Sequence, residues 1–174
     1  MSDQFYLTSY DLSNIFEIGF DKKYVFFVSS CPGIPINNLD KSLKTIKDLG
    51  VKKIYNFLTK EELEKLKLQI YSKKIKNSKL EYTIFPIQDR SVPDANKRVL
   101  FSNIINEMFL LINKGKFLLI HCHAGLGRSG LVSAILLKKF GLDSQQAIKL
   151  IRTKRPGSIE TEEQEKFINE YNFK

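Results

Sequence analysis

Short apolar runs alternate with longer amphipathic segments along this chain. Residues 16–18 and 24–29 are predicted as two short strands, with a turn at residues 19–22 between them. Apolar side chains then recur at helical spacing over residues 38–49, and a glycine follows as a stop signal. The next apolar run, residues 51–58, is typical of a buried strand.

The alternation of helices and strands continues to the end of the chain. Thr59 and Glu62 form a capping-box pattern, which predicts a helix reaching toward Lys76. Asp94 is predicted to cap a long helix that ends near Asn113. The other predicted elements are strands at residues 82–85 and 116–120, a helix at 127–140 that is apolar on almost every side, a helix at 143–153, and a last helix beginning near Thr161.

This order predicts an α/β fold, with a central, mainly parallel twisted sheet flanked by helices. The chain has 174 residues and shows no internal repeat or linker, so residues 1–174 are predicted to form a single domain. No apolar run approaches the roughly 20 residues needed to span a bilayer. The polar, acidic start is unlike a signal peptide, so we expect a cytoplasmic protein without a cleaved leader.

The formal net charge of +9 favours anionic partners such as phosphate esters, nucleic acids or acidic membrane surfaces. The regular aromatic and Arg/Gly motifs of RNA-binding modules are absent, which disfavours nucleic acid. Many lysines fall within residues 60–79, interspersed with glutamates. This pattern is typical of a solvated helix face, and a docking surface for an acidic partner is the alternative.

The two cysteines, Cys31 and Cys122, are too few and too far apart for a disulfide framework. A reducing compartment is therefore expected. Cys31 is predicted to be a small buried residue, because cysteine is among the most buried residue types. A disulfide between the two, acting as a redox switch, is the alternative.

The segment at residues 121–130, HCHAGLGRSG, combines features that together predict a phosphate-binding loop. An apolar strand precedes it and an apolar helix follows it, and its glycines let several amide N–H groups point inward. Such a nest at a helix N-terminus binds a dianionic phosphate, and an arginine fork grips two of its oxygens. The predicted phosphate-binding residues are His123, Ala124, Gly125, Leu126, Gly127 and Arg128.

The same positive field favours the thiolate form of a cysteine, so Cys122 is predicted to attack phosphorus in line. The product is a phosphocysteine that water later hydrolyses, and neither step needs a metal or another cofactor. The leaving oxygen needs a proton from a general acid. Asp89, in a loop segment between a strand and a helix, is the candidate, since the capping role predicted for Asp94 accounts for that residue.

The segment at residues 121–130 resembles the signature loop of the protein tyrosine phosphatase superfamily, in its dual-specificity branch, and is closest to the kinase-associated group. Residues 30–33, residues 86–94 and residues 155–159 with Gln164 are also similar to that group. The resemblance implies a cysteine phosphatase fold and a role for each matched residue. Those roles are nucleophile for Cys122, phosphate binding and transition-state stabilisation for Arg128, hydrogen bonding to sulfur for Ser129, general acid and then base for Asp89, thiolate tuning for His121, and positioning of the hydrolytic water for Gln164.

Two of these roles have simpler alternatives. His121 can serve only to orient the loop, and Gln164 can simply complete a capping box begun at Thr161. His123 is assigned no catalytic duty and no metal role.

The resemblance implies a shallow pocket for phosphoserine, phosphothreonine and phosphotyrosine on a phosphorylated protein, because the chain has no tryptophan and no separate phosphotyrosine-recognition loop. The loop also lacks the inner lysines of phosphoinositide phosphatases. A phosphatase for a phosphoinositide or an RNA 5′-phosphate is the first alternative. An inactive phosphate-binding module and a sulfurtransferase are the others.

Overall fold

A mostly parallel sheet organises the protein, whose computed structural model describes residues 15–21, 24–34, 38–66 and 70–173. Among these residues the sheet has the strand order β1-β2-β5-β3-β4. Only β1 and β2 pair antiparallel, and the pairs β2–β5, β5–β3 and β3–β4 are parallel. The strands are β1 Ile15–Asp21, β2 Tyr24–Ser29, β3 Val51–Asn56, β4 Glu81–Ile84 and β5 Phe117–His121.

Helices cover both faces of this sheet, which confirms the predicted α/β architecture. They are α1 Leu39–Asp48, α2 Lys60–Lys65, α3 Tyr71–Asn77, α4 Arg98–Asn113, α5 Gly127–Lys139, α6 Ser144–Lys154 and α7 Glu162–Glu170. Successive strand side chains point to opposite faces, so the sheet feeds two apolar cores. One core lies under α4, α5, α6 and α7, and the other lies under α1 and α3.

The predicted central buried helix is α5. Every residue from Gly127 to Leu137 in it is buried. Because β5 runs directly into the loop that opens α5, the candidate phosphate loop lies between the middle strand and the most buried helix. The scaffold therefore holds this loop from both ends.

Three local predictions need correction. The helix predicted from Thr59 toward Lys76 is wrong as one element, because α2 ends at Lys65 and α3 begins at Tyr71. The backbone N–H of Leu66 closes α2 on the carbonyls of Glu62 and Glu64, and α3 buries its own apolar face in the second core. The turn predicted at residues 19–22 is partly strand, since β1 extends to Asp21, and residues 22–23 lie outside the described residues.

Asp94 is the third correction. A short 3-10 turn, Ala95–Lys97, separates it from α4, and its side chain caps no backbone amide. The Asp94 carboxylate instead accepts a hydrogen bond from Lys97 Nζ at 2.6 Å. The capping role that argued against Asp94 as the general acid is therefore absent.

Within the part of the chain that the structure describes, no helix has the length and apolar character needed to cross a bilayer.

Candidate active site

The candidate phosphate loop, residues 122–127, lies at the carboxyl end of β5, the edge at which parallel α/β sheets bind ligands. Two contacts from other segments hold its outer wall. The backbone N–H of Cys31 donates to the carbonyl of His123 at 2.8 Å. Nη2 of Arg155, a residue only 6% exposed, donates to the carbonyl of Ala124 at 2.5 Å. These two bonds attach the carbonyls of His123 and Ala124 to neighbouring segments.

The two loop glycines lie in different surroundings. Gly125 has a φ of 72°, a left-handed conformation that L side chains avoid, and a side chain there would collide with the backbone of Ser29. Gly127 opens α5, and a side chain there would collide with the Glu160 carboxylate and the Gln164 amide. The loop therefore fits tightly between β2 and the segment leading into α7.

Cys122 lies at the base of this loop and is 2% exposed. Its Sγ is 3.4 Å from the hydroxyl oxygen of Ser129 in the first turn of α5. That separation suits the hydrogen bond to sulfur that the resemblance implies for Ser129. The N-terminus of α5 adds the positive end of its dipole close to the sulfur.

Arg128 is almost completely buried, and its guanidinium is the most heavily bonded group of the site. Nη1 and Nη2 donate to the two carboxylate oxygens of Glu62 at 2.6 and 2.8 Å. Nη1 also donates to the carbonyl of Ile87 at 3.0 Å, and Nη2 lies 2.9 Å from Asp89 Oδ1. Burial acts to lower the pKa of Arg128, but hydrogen bonding to Glu62 and the charges of Cys122, Glu62 and Asp89 outweigh it and raise the pKa.

One donor of this guanidinium has no acceptor in the described part of the chain. The Nε–H of Arg128 is buried and makes no hydrogen bond with the described residues. An unsatisfied buried donor costs free energy, so it favours an acceptor arriving from outside the protein. A phosphate oxygen is an acceptor of the required kind.

Glu62 was missed as a site residue, because its place in the capping box accounted for it. The box is present, since Thr59 N–H donates to Glu62 Oε2 at 2.9 Å and Glu62 N–H donates to Thr59 Oγ1 at 3.3 Å. Burial acts to raise the pKa of Glu62, but hydrogen bonds from Arg128 and Thr59 outweigh it and lower the pKa. The segment after β3 and the phosphate loop after β5 lie at the same edge of the sheet. That adjacency was the signal that could have identified Glu62.

His121 is fully buried and has a partner at each ring nitrogen. Nδ1 is 3.2 Å from the carbonyl oxygen of Cys122, and Nε2 is 2.9 Å from the hydroxyl of Tyr71. A carbonyl only accepts, so Nδ1 carries the proton and Nε2 accepts from Tyr71. Burial lowers the pKa of His121 from its usual 6.5 to about 4. An uncharged ring at neutral pH favours the orienting role over thiolate tuning, and Tyr71 is a further residue that the sequence did not single out.

This buried histidine makes stability depend on pH. The unfolded chain binds a proton near pH 6.5 and the folded chain only near pH 4, so stability falls as pH drops between these values. We expect the free energy of unfolding, measured in urea, to fall by about 1 kcal/mol between pH 6 and 5.

Replacing the two histidines separately supplies the control. His121→Asn should flatten the slope between pH 6 and 5, whereas His123→Asn, at an exposed loop position, should keep it. The loss linked to Glu62 falls mostly below its ordinary pKa of 4.5 and is the same in both variants. A slope that survives in His121→Asn would contradict the assignment.

Gln164 is fully buried, and both ends of its amide are engaged. Oε1 accepts from the backbone N–H of Glu160 at 2.9 Å, and Nε2 donates to the carbonyl of Ser91 at 3.2 Å. Thr161 caps α7 by accepting from Gln164 N–H at 3.2 Å. The predicted capping box is wrong in its second half, because the Gln164 side chain binds the N–H of Glu160 rather than that of Thr161.

Cys31 is fully buried, as predicted, and neither cysteine forms a disulfide. Burial raises the pKa of the Cys31 thiol to about 12. It is therefore a neutral thiol at physiological pH, unlike the nucleophile that the mechanism requires.

Comparison with known proteins identifies the family. A protein-family model described as "PTP-SAK: Swiss Army Knife protein, DSP-PTPase phosphatase domain" matches residues 34–168. The chain belongs to the dual-specificity protein tyrosine phosphatase family. It is 31% identical over 148 residues to cyclin-dependent kinase inhibitor 3 of Sus scrofa, covering 79% of this chain and 65% of that protein.

Two further relatives agree with this membership. The tyrosine-protein phosphatase CDC14 of Saccharomyces cerevisiae is 26% identical over 113 residues, covering 62% of this chain and 20% of that protein. Among solved structures, kinase associated phosphatase with serine in place of its catalytic-site cysteine superposes with a TM-score of 0.82. That match is 26% identical and covers 91% of this chain and 93% of the other. The dual-specificity phosphatase fold is therefore present in full around the candidate site.

Proposed function

We propose that this domain hydrolyses phosphotyrosine, phosphoserine and phosphothreonine esters of proteins through a phosphocysteine intermediate. The observation that carries the proposal is the pairing of Cys122 with Arg128 in one loop. The sulfur lies at its base, and the buried Arg128 Nε–H has no acceptor among the described residues. A phosphate dianion in the loop supplies that acceptor and places phosphorus in front of the sulfur.

The first step transfers the phosphoryl group to the enzyme. The Cys122 thiolate attacks phosphorus, a P–S bond forms, and the P–O bond to the substrate breaks with its electron pair leaving on oxygen. Asp89 donates a proton to that oxygen. Its carboxylate is 62% exposed and 2.9 Å from Arg128 Nη2, so it lies at the open rim of the phosphate site.

The second step regenerates the enzyme. Water attacks phosphorus, the P–S bond breaks, and the electron pair returns to the Cys122 sulfur, to which Ser129 donates a hydrogen bond. The Asp89 carboxylate takes the proton of the attacking water. The resemblance assigns positioning of this water to Gln164, whose amide lies beside Gly127 at the end of the loop.

Phosphoproteins are the proposed substrate class because the similar proteins bear the names cyclin-dependent kinase inhibitor 3, tyrosine-protein phosphatase and kinase associated phosphatase. The net charge of +9 keeps a phosphoinositide or an RNA 5′-phosphate as the second candidate. A reducing compartment such as the cytoplasm is part of the proposal, because the nucleophile must stay an uncrosslinked thiol.

Phosphate release from four substrate types at matched concentration tests this function: a phosphotyrosine peptide, a phosphothreonine peptide, phosphoinositide vesicles and a 5′-phosphorylated RNA. We expect kcat/KM for both peptides to exceed that for the lipid and the RNA by at least about tenfold, because the loop offers no lysine to bind a second phosphate. Cys122→Ser protein is the blank for contaminating phosphatases. Faster hydrolysis of lipid or RNA would overturn the substrate class, and hydrolysis of none would leave an inactive phosphate-binding module.

A further inference from the structure

We propose that the first turn of α7 clips the acid loop, residues 86–94, in the position from which Asp89 works. Thr161 and Gln164 are its positioning residues. This inference rests on the proposed function, in which Asp89 is the general acid. It assigns to Thr161 a role in the reaction beyond capping a helix.

The clip acts on the two residues that follow the acid. Thr161 Oγ1 donates to the carbonyl of Arg90 at 3.2 Å. Gln164 Nε2 donates to the next carbonyl, that of Ser91, at 3.2 Å. The carbonyls of the two residues after Asp89 are therefore bonded to the N-cap and the first turn of α7.

The backbone at this point needs such support. Arg90 has a φ of 59°, a left-handed conformation that is unfavourable for a residue with a side chain. Such conformations persist when surrounding contacts impose them, and they concentrate at functional sites. Both clip bonds end on the two peptide groups that follow this left-handed residue.

Packing of the Asp89 side chain itself does not replace the clip, because that side chain is 62% exposed. Its distance to Arg128 therefore depends on where the backbone places its Cα. The other end of the loop is fixed, since Ile87 N–H donates to the carbonyl of Phe57 at 3.2 Å and the carbonyl of Ile87 accepts from Arg128. Without the clip, the half of the loop after Asp89 loses its attachment to α7.

Further hydrogen bonds fix the two side chains that form the clip. Gln164 is fully buried, and its Oε1 accepts from Glu160 N–H, which fixes the direction of its Nε2. Thr161 uses one hydroxyl for two purposes, accepting from Gln164 N–H and donating to Arg90. A valine at residue 161 removes both bonds with little change in shape, and a serine keeps both.

The test is the dependence of kcat/KM on the leaving group, since this ratio reports the steps through P–O cleavage. An alkyl phosphate needs the proton from Asp89, whereas a p-nitrophenyl phosphate releases a stable anion without it. We expect Thr161→Val to lose about tenfold on the alkyl substrate and less than about twofold on the aryl substrate. Thr161→Ser should restore the alkyl rate.

A matched control distinguishes the proposed clip from a purely structural helix cap. Asp143 caps α6 through Gln146 N–H at 2.8 Å, in an exposed position outside the acid loop. Asp143→Ala removes a helix cap of the same kind and should leave both rates unchanged. Equal effects of Thr161→Val and Asp143→Ala on the alkyl-to-aryl ratio would overturn the clip.

Asp89→Asn separates failure of the clip from failure of the acid assignment. We expect it to lose about 100-fold or more on the alkyl substrate, and Thr161→Val added to it should cause no further loss. If Asp89→Asn leaves the leaving-group dependence unchanged, the acid assignment in the proposed function fails. If Asp89→Asn slows the alkyl substrate much more than the aryl substrate but Thr161→Val does not, the clip fails and the acid assignment stands.

Discussion

Cys122→Ser is expected to reduce turnover of every phosphomonoester substrate by at least about 10⁴-fold, because a neutral hydroxyl in place of a thiolate is a poor nucleophile toward phosphorus. The loop amides and Arg128 are unchanged by this substitution, so phosphate binding should persist. The measurement is kcat with p-nitrophenyl phosphate, together with the affinity for inorganic phosphate by calorimetry. Loss of activity with retained anion affinity identifies Cys122 as the attacking group.

The other cysteine supplies a control for the same atomic change. Cys31 contacts the loop through its backbone N–H, which Cys31→Ser leaves in place. Its thiol is neutral because burial raises its pKa to about 12, so it offers no thiolate. Cys31→Ser should therefore keep kcat within about threefold. Residual activity of Cys122→Ser above about one per cent of the parent would disprove nucleophilic attack by Cys122.

Arg128→Lys is expected to lower kcat/KM for aryl phosphates by about 10³-fold, even though the positive charge is kept. The arginine fork is divided between Glu62, Asp89 and Ile87, with Nε left for a phosphate oxygen. A lysine ammonium cannot reach all of these partners. It also leaves the partly buried Glu62 carboxylate short of donors, so Tm should fall as well.

Arg98→Lys is the matched control for this substitution. The Arg98 guanidinium lies over the ring of Phe167, with 5.2 Å between its Cζ and the ring centroid, away from the phosphate loop. Its replacement should leave kcat/KM within about twofold. An Arg128→Lys enzyme that stays within tenfold of the parent would show that charge alone is sufficient and that the fork geometry has no catalytic value.

The two substitutions report on separate parts of one preorganised site. Glu62 and Asp89 hold the guanidinium of Arg128 before any substrate is present. Tyr71 and the carbonyl of Cys122 hold the ring of His121 next to the proposed nucleophile. A site organised in advance needs little rearrangement during the reaction, which is how fixed dipoles stabilise a transition state.

The sequence by itself predicted the candidate phosphate loop, because its two glycines, Cys122 and Arg128 lie within ten consecutive residues. An apolar strand before it and an apolar helix after it indicate the local backbone, which puts Cys122 after β5 and Arg128 in the first turn of α5. Periodicity likewise predicted the alternation of strands and helices and the burial of α5. These are short-range properties, so they can be inferred without knowing which segments meet.

Only the tertiary structure decided which other residues meet this loop. Glu62 follows β3, Tyr71 lies in α3, and Thr161 precedes α7, so each approaches the site across a gap of many residues. In the sequence, Glu62 was already explained by helix capping, and Asp94 was assigned a capping bond that it does not make. A polar side chain can form a hydrogen bond with any of several nearby groups. Which bond forms depends on the distances between these groups, and sheet order and helix packing set those distances.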